Sequence, residues 1–283
     1  MIKKSIKAFL IVICIFFIYF IFRTTDLTAL QYNKDSSKSK SENFKYRTLK
    51  NNAYYYGERL EYSVMYSFLK AGTGYFHILP RPVYHNNREC FDIRFQVNSL
   101  KSLEWIYKVS DAYQTALDVE GLFPWEFQQK IREGGYKKDY KATFDQINNL
   151  AITGDKKHKV PEYVHDIVSA FYYVRTMDIA SMQKGSILKL QNFFDDTTWS
   201  LGVKYLGKQT VEVAAGKFRC LVIEPLVTEG GLFKSEGKIL IWLTDDENKI
   251  PVKVSTKILI GSVSAELDKY SGLKNPVKAK INY

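Results

Sequence analysis

Cysteine, histidine and proline are all scarce: this chain of 283 residues holds three, four and seven of them. Three cysteines cannot build the disulfide framework that staples small secreted domains. Cys14 lies in an apolar run near the N-terminus. Cys90 and Cys220 could pair in an oxidising compartment, but strand alternation opposes it. Cys90 points with Asp92 and Arg94, away from the apolar row Phe91, Ile93 and Phe95, whereas Cys220 points with Phe218 and Val222 toward a core. His77, His85, His158 and His165 show no H-E-x-x-H spacing, and C-x-x-C is absent, so they read as scattered surface residues and no metal site is expected. There is no G-x-S-x-G elbow, and Ser169 would need a base that its neighbourhood does not show. Gly72-Thr73-Gly74 lacks the strand-loop-helix setting of a phosphate cradle. Asp195-Asp196 and Asp245-Asp246-Glu247-Asn248 lack the alternating ligands and glycine of a calcium loop and read as turns. No catalytic residue and no cofactor are expected from these patterns.

What is present begins at the N-terminus. Lys3, Lys4 and Lys7 precede a charge-free apolar run from Ala8 to Phe22, closed by Arg23. Such a run behind a basic head is an export signal or a membrane anchor. Fifteen residues rise about 22 Å as a helix, short of a hydrocarbon core of about 30 Å. Flanking residues and snorkelling Lys7 and Arg23 can extend it. The lysine bias puts the N-terminus in the cytoplasm and the remainder outside. Residues 1–23 are therefore a signal-anchor or a signal peptide. The expected location is the inner membrane, single-pass with the C-terminal domain in the periplasm, or the periplasm itself after cleavage. Residues 24–53 follow as a tether, Ser/Lys-rich in their middle. A β-rich exported domain is expected over 54–268, and a basic tail that trails off over 269–283.

The net charge of +11 is concentrated at the ends. Residues 1–43 carry +4 and the tail from Lys269 another +4, leaving +3 for the middle. A nucleic-acid binder gathers its basic residues on a folded face, so no nucleic-acid partner is expected. Attraction to anionic lipid or an envelope polymer fits the charged ends better.

The chain is 46% hydrophobic and 15% aromatic. Leu60, Tyr62, Val64, Tyr66 and Phe68 alternate with Glu61, Ser63 and Ser67, the period of a half-buried strand. Lys70 to Gly74 reads as a turn into a second strand. Trp125–Arg132 and Tyr136–Phe144 flank Glu133-Gly134-Gly135 as a hairpin. Leu206-Gly207-Lys208 separates two further strands. One helix is expected from Val164 to Met177, behind Pro161, because Ile167, Ala170, Phe171 and Val174 form an apolar stripe. About a dozen short strands with one helix predict an all-β fold: a strongly curved antiparallel sheet, or an open or closed β-barrel, preceded by the N-terminal membrane helix.

Aromatic residues are spread over many strands. A small barrel fills itself with such side chains; a half-open one leaves an apolar cavity for a lipid-like ligand. The candidate lining is Trp105, Tyr113, Trp125, Phe127, Tyr172, Trp199 and Trp242. Three functions follow. The first is a non-catalytic envelope domain binding an amphipathic ligand or an envelope protein partner. The second is an assembly protein with a filled core, and the third a hydrolase with a loop-built site.

Gly57-Glu58-Arg59-Leu60-Glu61-Tyr62 with Lys70-Ala71-Gly72-Thr73-Gly74 resembles the opening of the exported bacterial family known as domain of unknown function 3108. Val109-Ser110-Asp111 with Asp118, Leu122 and Pro124 resembles its middle, and Asp166 to Arg175 its helix. Ala215 to Phe218, Cys220, Glu224-Pro225, Ile241 to Asp246 and Ile250-Pro251-Val252 resemble its C-terminal half. The resemblance spans about Gly57 to Leu267 and implies an exported, β-rich envelope domain with no activity attached.

Overall fold

The computed structural model describes residues 44–228, 238–258 and 261–281. The expected membrane helix and signal, Cys14 and residues 24–43 of the tether lie outside the described residues. Among those described, no helix is long and apolar enough to cross a membrane.

Before the helix come β1 (Arg59–Tyr66), β2 (Leu69–Ile78), β3 (Val83–His85), β4 (Arg88–Ser99), β5 (Ser110–Asp118), β6 (Pro124–Glu133), β7 (Tyr136–Asp145), β8 (Leu150–Thr153) and β9 (Lys156–Lys159). Helix α1 (Ile167–Thr176) follows. Then come β10 (Ile187–Phe194), β11 (Thr197–Val213), β12 (Gly216–Thr228), β13 (Ile239–Thr244), β14 (Pro251–Lys257), β15 (Ser262–Ser271) and β16 (Lys280–Ile281). The architecture is all-β with one helix, as the strand periods predict. All strands join one antiparallel sheet in the order β10-β11-β12-β13-β14-β15-β1-β2-β4-β5-β6-β7-β8-β9, with β3 on β4 and β16 on β12. The late strands meet the early ones where β15 pairs with β1.

The sheet curves but does not close. Register shifts at Glu61/Tyr62, Val64/Met65, Ala116/Leu117, Tyr205/Gly207 and Trp242/Leu243 bend it. Its two terminal strands, β9 and β10, face each other without a ladder. Side chains bridge the seam instead: Lys138 reaches Asp195 at 2.6 Å and Lys156 reaches Asp196 at 3.4 Å. The outer edge of β10 is paired with His165, whose N–H donates to Gln191 O and whose carbonyl accepts from Phe193 N.

Helix α1 lies inside this curve and both arms pack on it. Val168 and Tyr172 join a core with Leu60, Phe76, Ile93, Phe127 and Phe144. Val174 joins a second core with Leu190, Val203, Leu221, Ile241 and Val254. An amphipathic helix gains most of its stability from such packing.

Several boundaries differ from the sequence expectation. The first hairpin turns at Ser67-Phe68, and β2 runs straight through Gly72 and Gly74. A Cβ at Gly72 would lie 2.5 Å from Asn98 O, so this glycine serves close strand approach rather than a turn. Leu206-Gly207-Lys208 is a bulge within one 17-residue strand, with Gly207 at φ 103°.

The folded body also takes in both flanks. Arg47, in the stretch assigned to the tether, donates from Nε to Gly121 O at 2.7 Å and from Nη2 to Leu122 O at 2.9 Å. The tail, expected to trail off, folds back: Asn275 Nδ2 donates to Asn52 O at 2.7 Å, Ala279 is buried, and Lys280-Ile281 pairs with β12. Side-chain donors to backbone carbonyls hold these segments, together with Tyr46, Ala53 and Val277 packed on the apolar clusters.

Candidate functional site

Ser169, His165 and Asp166 come together at the start of α1. Asp166 is the N-cap: its Oδ1 accepts from Val168 N at 2.8 Å and Ser169 N at 2.9 Å, and Ser169 Oγ accepts from Asp166 N at 2.9 Å. This is a capping box. His165 Nδ1 lies 3.3 Å from Ser169 Oγ, and Asp166 Oδ2 accepts from Thr115 rather than from the imidazole. All three side chains are buried. Burial, then the charge of Arg47, pushes the His165 pKa down to about 3, so the ring is neutral. Burial holds the Asp166 carboxyl above its ordinary range despite the hydrogen bonds it accepts. The trio is a helix cap. It corrects the reading of His165 as a surface residue.

Two further buried carboxyls, Asp111 on β5 and Glu133 at the end of β6, face each other. Arg132 N–H donates to Asp111 Oδ1 at 2.7 Å. Burial, then the charge and hydrogen bond of Asp111, push the Glu133 pKa up to about 8. Like charges this close cannot both ionise cheaply, so the pair holds a proton at neutral pH. Among the described residues no group of three or more His, Cys, Asp or Glu side chains converges in a way that would hold a metal ion.

An apolar cleft opens inside the curved sheet. Tyr62 and Val64 of β1, Gly74 and Phe76 of β2, and Phe95 and Val97 of β4 form one wall; Pro251, Val254 and Thr256 of β14 with Val263 and Ala265 of β15 form the other. The cleft encloses about 600 Å³ counting the part open to solvent, with about 40 Å³ of room for water-sized molecules. A single water needs roughly 10–15 Å³ on that measure. The cleft is therefore narrow, and an acyl chain enters only as the walls part.

Its floor is a ladder of rings. Phe171 of α1 stacks on Phe76 at 5.1 Å, Phe76 on Phe95 at 4.3 Å, and Phe95 on Tyr113 at 5.4 Å. Offset stacks of this kind add to simple area burial. Asp111 pairs in register with Val97, which puts the carboxyl pair beside one end of the cleft.

The seven residues expected to line a cavity are not brought together, and none of them lines this cleft. Tyr113 and Tyr172 stand directly behind its wall, against Phe95 and Phe76. Phe127 is buried deeper, toward Phe194. Trp125 leaves the Phe127 row at the bulge and packs with Cys90, Ala116 and Phe123, its Nε1 donating to Asp118. Trp242 is half-buried and donates to Gln209, and Trp199 is half-buried on β11. Trp105 is 81% exposed. Cys90 and Cys220 are both buried and free; burial pushes each thiol up to about 12. Cys90 does point away from the Phe91 row, but a second apolar cluster covers it there.

A family model described as protein of unknown function (DUF3108) matches residues 61–268. No curated protein matches the chain. Among solved structures, a β-barrel-like protein of domain of unknown function DUF1849 from Brucella abortus is 11% identical. That match covers 76% of this chain and 97% of that one, with a TM-score of 0.49. A protein from Bacteroides fragilis described as exported, with a YmcC-like fold, is 13% identical over 77% of this chain and 97% of its own, at a TM-score of 0.29. A protein from Parabacteroides distasonis described as a lipoprotein is 8% identical over 80% and 100%, at 0.33.

Proposed function

We propose, for a chain that belongs to the DUF3108 family of proteins of unknown function, a non-catalytic role in the cell envelope: binding the apolar part of an amphipathic molecule in the cleft between β1-β2-β4 and β14-β15. The basic head and the apolar run Ala8–Phe22 support a position at the periplasmic face of the inner membrane, or in the periplasm after cleavage. One observation carries the binding reading: the cleft walls are mostly aliphatic and aromatic, and beside the Tyr62 hydroxyl, which donates to Pro251 O, the hydroxyls come from Ser255 and Thr256 of β14 and Ser264 of β15. The buried polar groups near it are already engaged: Asp166 and Ser169 in the helix cap, Asp111 with Arg132 N–H and Glu133.

The test is titration of the purified protein with a dansyl-labelled fatty acid, together with native mass spectrometry after exposure to a lipid extract. Dansyl emission should rise saturably, and Val97→Phe should weaken binding on the order of tenfold, the loss of about 1.4 kcal/mol of apolar contact. A protein that stays empty with every lipid, and whose weak dansyl signal ignores Val97→Phe, would favour the filled-core assembly reading. The small room in the cleft is the observation on that side.

A further inference from the structure

Four of the seven large apolar side chains exposed among the described residues lie on one rim of the sheet. Phe68 and Leu69 sit at the β1–β2 turn, 83% and 57% exposed; Trp105 lies in the β4–β5 connection at 81%, and Tyr136 opens β7 at 42%. Backbone hydrogen bonds hold these turns side by side: Leu100 N donates to Ala71 O, Gly134 N to Lys108 O, and Ser67 N to Ser262 O. The same rim exposes Lys70, Lys101, Lys108, Lys137 and Lys257. Lys70 and Lys108 pair with Asp268 and Glu104. Lys101, Lys137 and Lys257 make no ion pair among the described residues. Val64, Val97 and Val263, at the rim end of the cleft, are two or three residues from these turns.

Two partners compete for such a surface, and its composition decides between them. Protein interfaces gather aromatic residues but are depleted in lysine. A membrane interface takes Trp, Phe and Leu at the headgroup level with lysines flanking them that are drawn to anionic lipid. We propose that this rim docks on an anionic bilayer surface, seating Phe68, Leu69 and Trp105 at the headgroup boundary, so that the amphipathic ligand of the cleft is drawn from that bilayer. The second half of this statement rests on the cleft reading; the docking itself does not.

Chain length allows the pose. Arg47 fixes the chain's entry on the opposite rim, against Gly121 and Leu122. The residues from 24 to 43 can span at most about 66–72 Å, against about 33 Å for a ten-residue strand. A domain anchored by residues 8–22 can therefore turn this rim to the same membrane.

The full chain, with Cys14→Ser, is labelled with an environment-sensitive NBD dye at Phe68→Cys or, as control, at Tyr84→Cys, which is 66% exposed on the far rim. Cys90 and Cys220 are buried and resist labelling. The chain is reconstituted in vesicles with or without phosphatidylglycerol. The emission at position 68 should shift to the blue with phosphatidylglycerol only, the emission at 84 should not, and K101Q/K137Q/K257Q should abolish the shift. No shift at 68, an equal shift at 84, or a shift that survives the triple lysine change would overturn the docking. Brominated lipid should quench Trp105 in parallel. Val97→Phe separates the two readings: it should leave the shift at 68 intact while weakening fatty-acid uptake. Uptake unchanged by Val97→Phe sinks the cleft alone, whereas uptake without any shift at 68 sinks the docking alone.

Discussion

Arg175 and Glu58 form a bidentate pair inside the molecule, Nη1 to Oε1 at 2.6 Å and Nη2 to Oε2 at 2.7 Å, with both side chains at 0% exposure. The guanidinium lies against the rings of Tyr54 and Tyr172, and Nε and Nη2 also donate to Asn248 O. Burial lowers the Arg175 pKa, but the charge and hydrogen bonds of Glu58 outweigh this and hold it above its ordinary value. One arginine thereby ties α1 to the start of β1 and to the turn before β14. Taking two charges out of water costs several kcal/mol each, and removing one partner strands the other.

Glu58→Gln should therefore destabilise the protein by about 3–5 kcal/mol, while Glu58→Leu with Arg175→Met should cost much less than either single change. Urea unfolding of Glu58→Gln, the two single changes and the double variant checks this. Equal and additive losses would mean that the pair is not coupled as its geometry implies.

His165 predicts an acid sensitivity. Its folded pKa is about 3 against an ordinary 6.5, so the folded state resists the proton that the unfolded chain accepts. Stability from this group is full above pH 6.5 and is lost as pH falls from there toward 3. Each pH unit in that window costs up to about 1.4 kcal/mol. His165→Asn should flatten the dependence of the unfolding free energy on pH between these limits. An unchanged slope would mean that another group governs it.

Part of this was readable in advance and part was not. Leu60, Tyr62 and Val64, like Phe91, Ile93 and Phe95, alternate because one face of each strand meets the main core while the other carries mostly polar residues, even where Ser63, Cys90 and Asp92 are covered. The helix stripe was equally plain. Its exact start was also written in the chain, since Asp166 stands three residues before Ser169 in the spacing of a capping box, ahead of an apolar run. The cleft was not legible. Its far wall is Val254, Val263 and Ala265, ordinary strand residues that face Val64 and Phe76 only because β15 returns to pair with β1. The tryptophans misled because an amphipathic ring is at home half-buried, and a bulge can turn one, as at Trp125, out of the row its number implies. The flanks at Arg47 and Asn275 are held by hydrogen bonds to carbonyls, which leave no periodic trace.

Glu133 predicts the opposite dependence to His165. Its folded pKa of about 8 stands above the ordinary 4.5, so the folded state keeps a proton that the unfolded chain releases. The stability this group contributes is full below pH 4.5 and is lost as pH rises through 8. Glu133→Gln keeps the shape and a donor toward Asp111 without the titration. The variant should melt higher than the parent at pH 8 and within a degree or two of it at pH 4, by scanning calorimetry. A lower melting temperature at pH 8 would show that the carboxyl is needed ionised.

The seam between β9 and β10 is held by exposed and half-exposed ion pairs, each worth about 0–1 kcal/mol. Asp195→Asn with Asp196→Asn should hardly lower global stability, but should speed amide exchange in β9 and in the last residues of β10, more so at low salt than at high. Exchange that quickens across α1 as well would mean that the seam supports the whole curve rather than its edge.

The ring ladder sets how far the cleft can open. Phe76 is held between Phe95 at 4.3 Å and Phe171 at 5.1 Å, and with them it closes the inner end of the cleft. Truncating a packed phenylalanine to alanine costs about 3–5 kcal/mol, enough to unfold a marginal domain, so the informative change is smaller. Phe76→Leu keeps an aliphatic wall, should cost about 1–2 kcal/mol, and removes the far edge of the ring from the ladder. The space it frees adjoins the walls formed by Val64 and Val254, so a fatty acid should bind this variant more tightly than the parent, and a longer chain should gain more than a shorter one. Val97→Phe acts from the mouth and should reverse that gain in the double variant. If Phe76→Leu loses stability yet gains no affinity at any chain length, the released volume has collapsed, and the ladder is packing alone rather than the floor of a binding site.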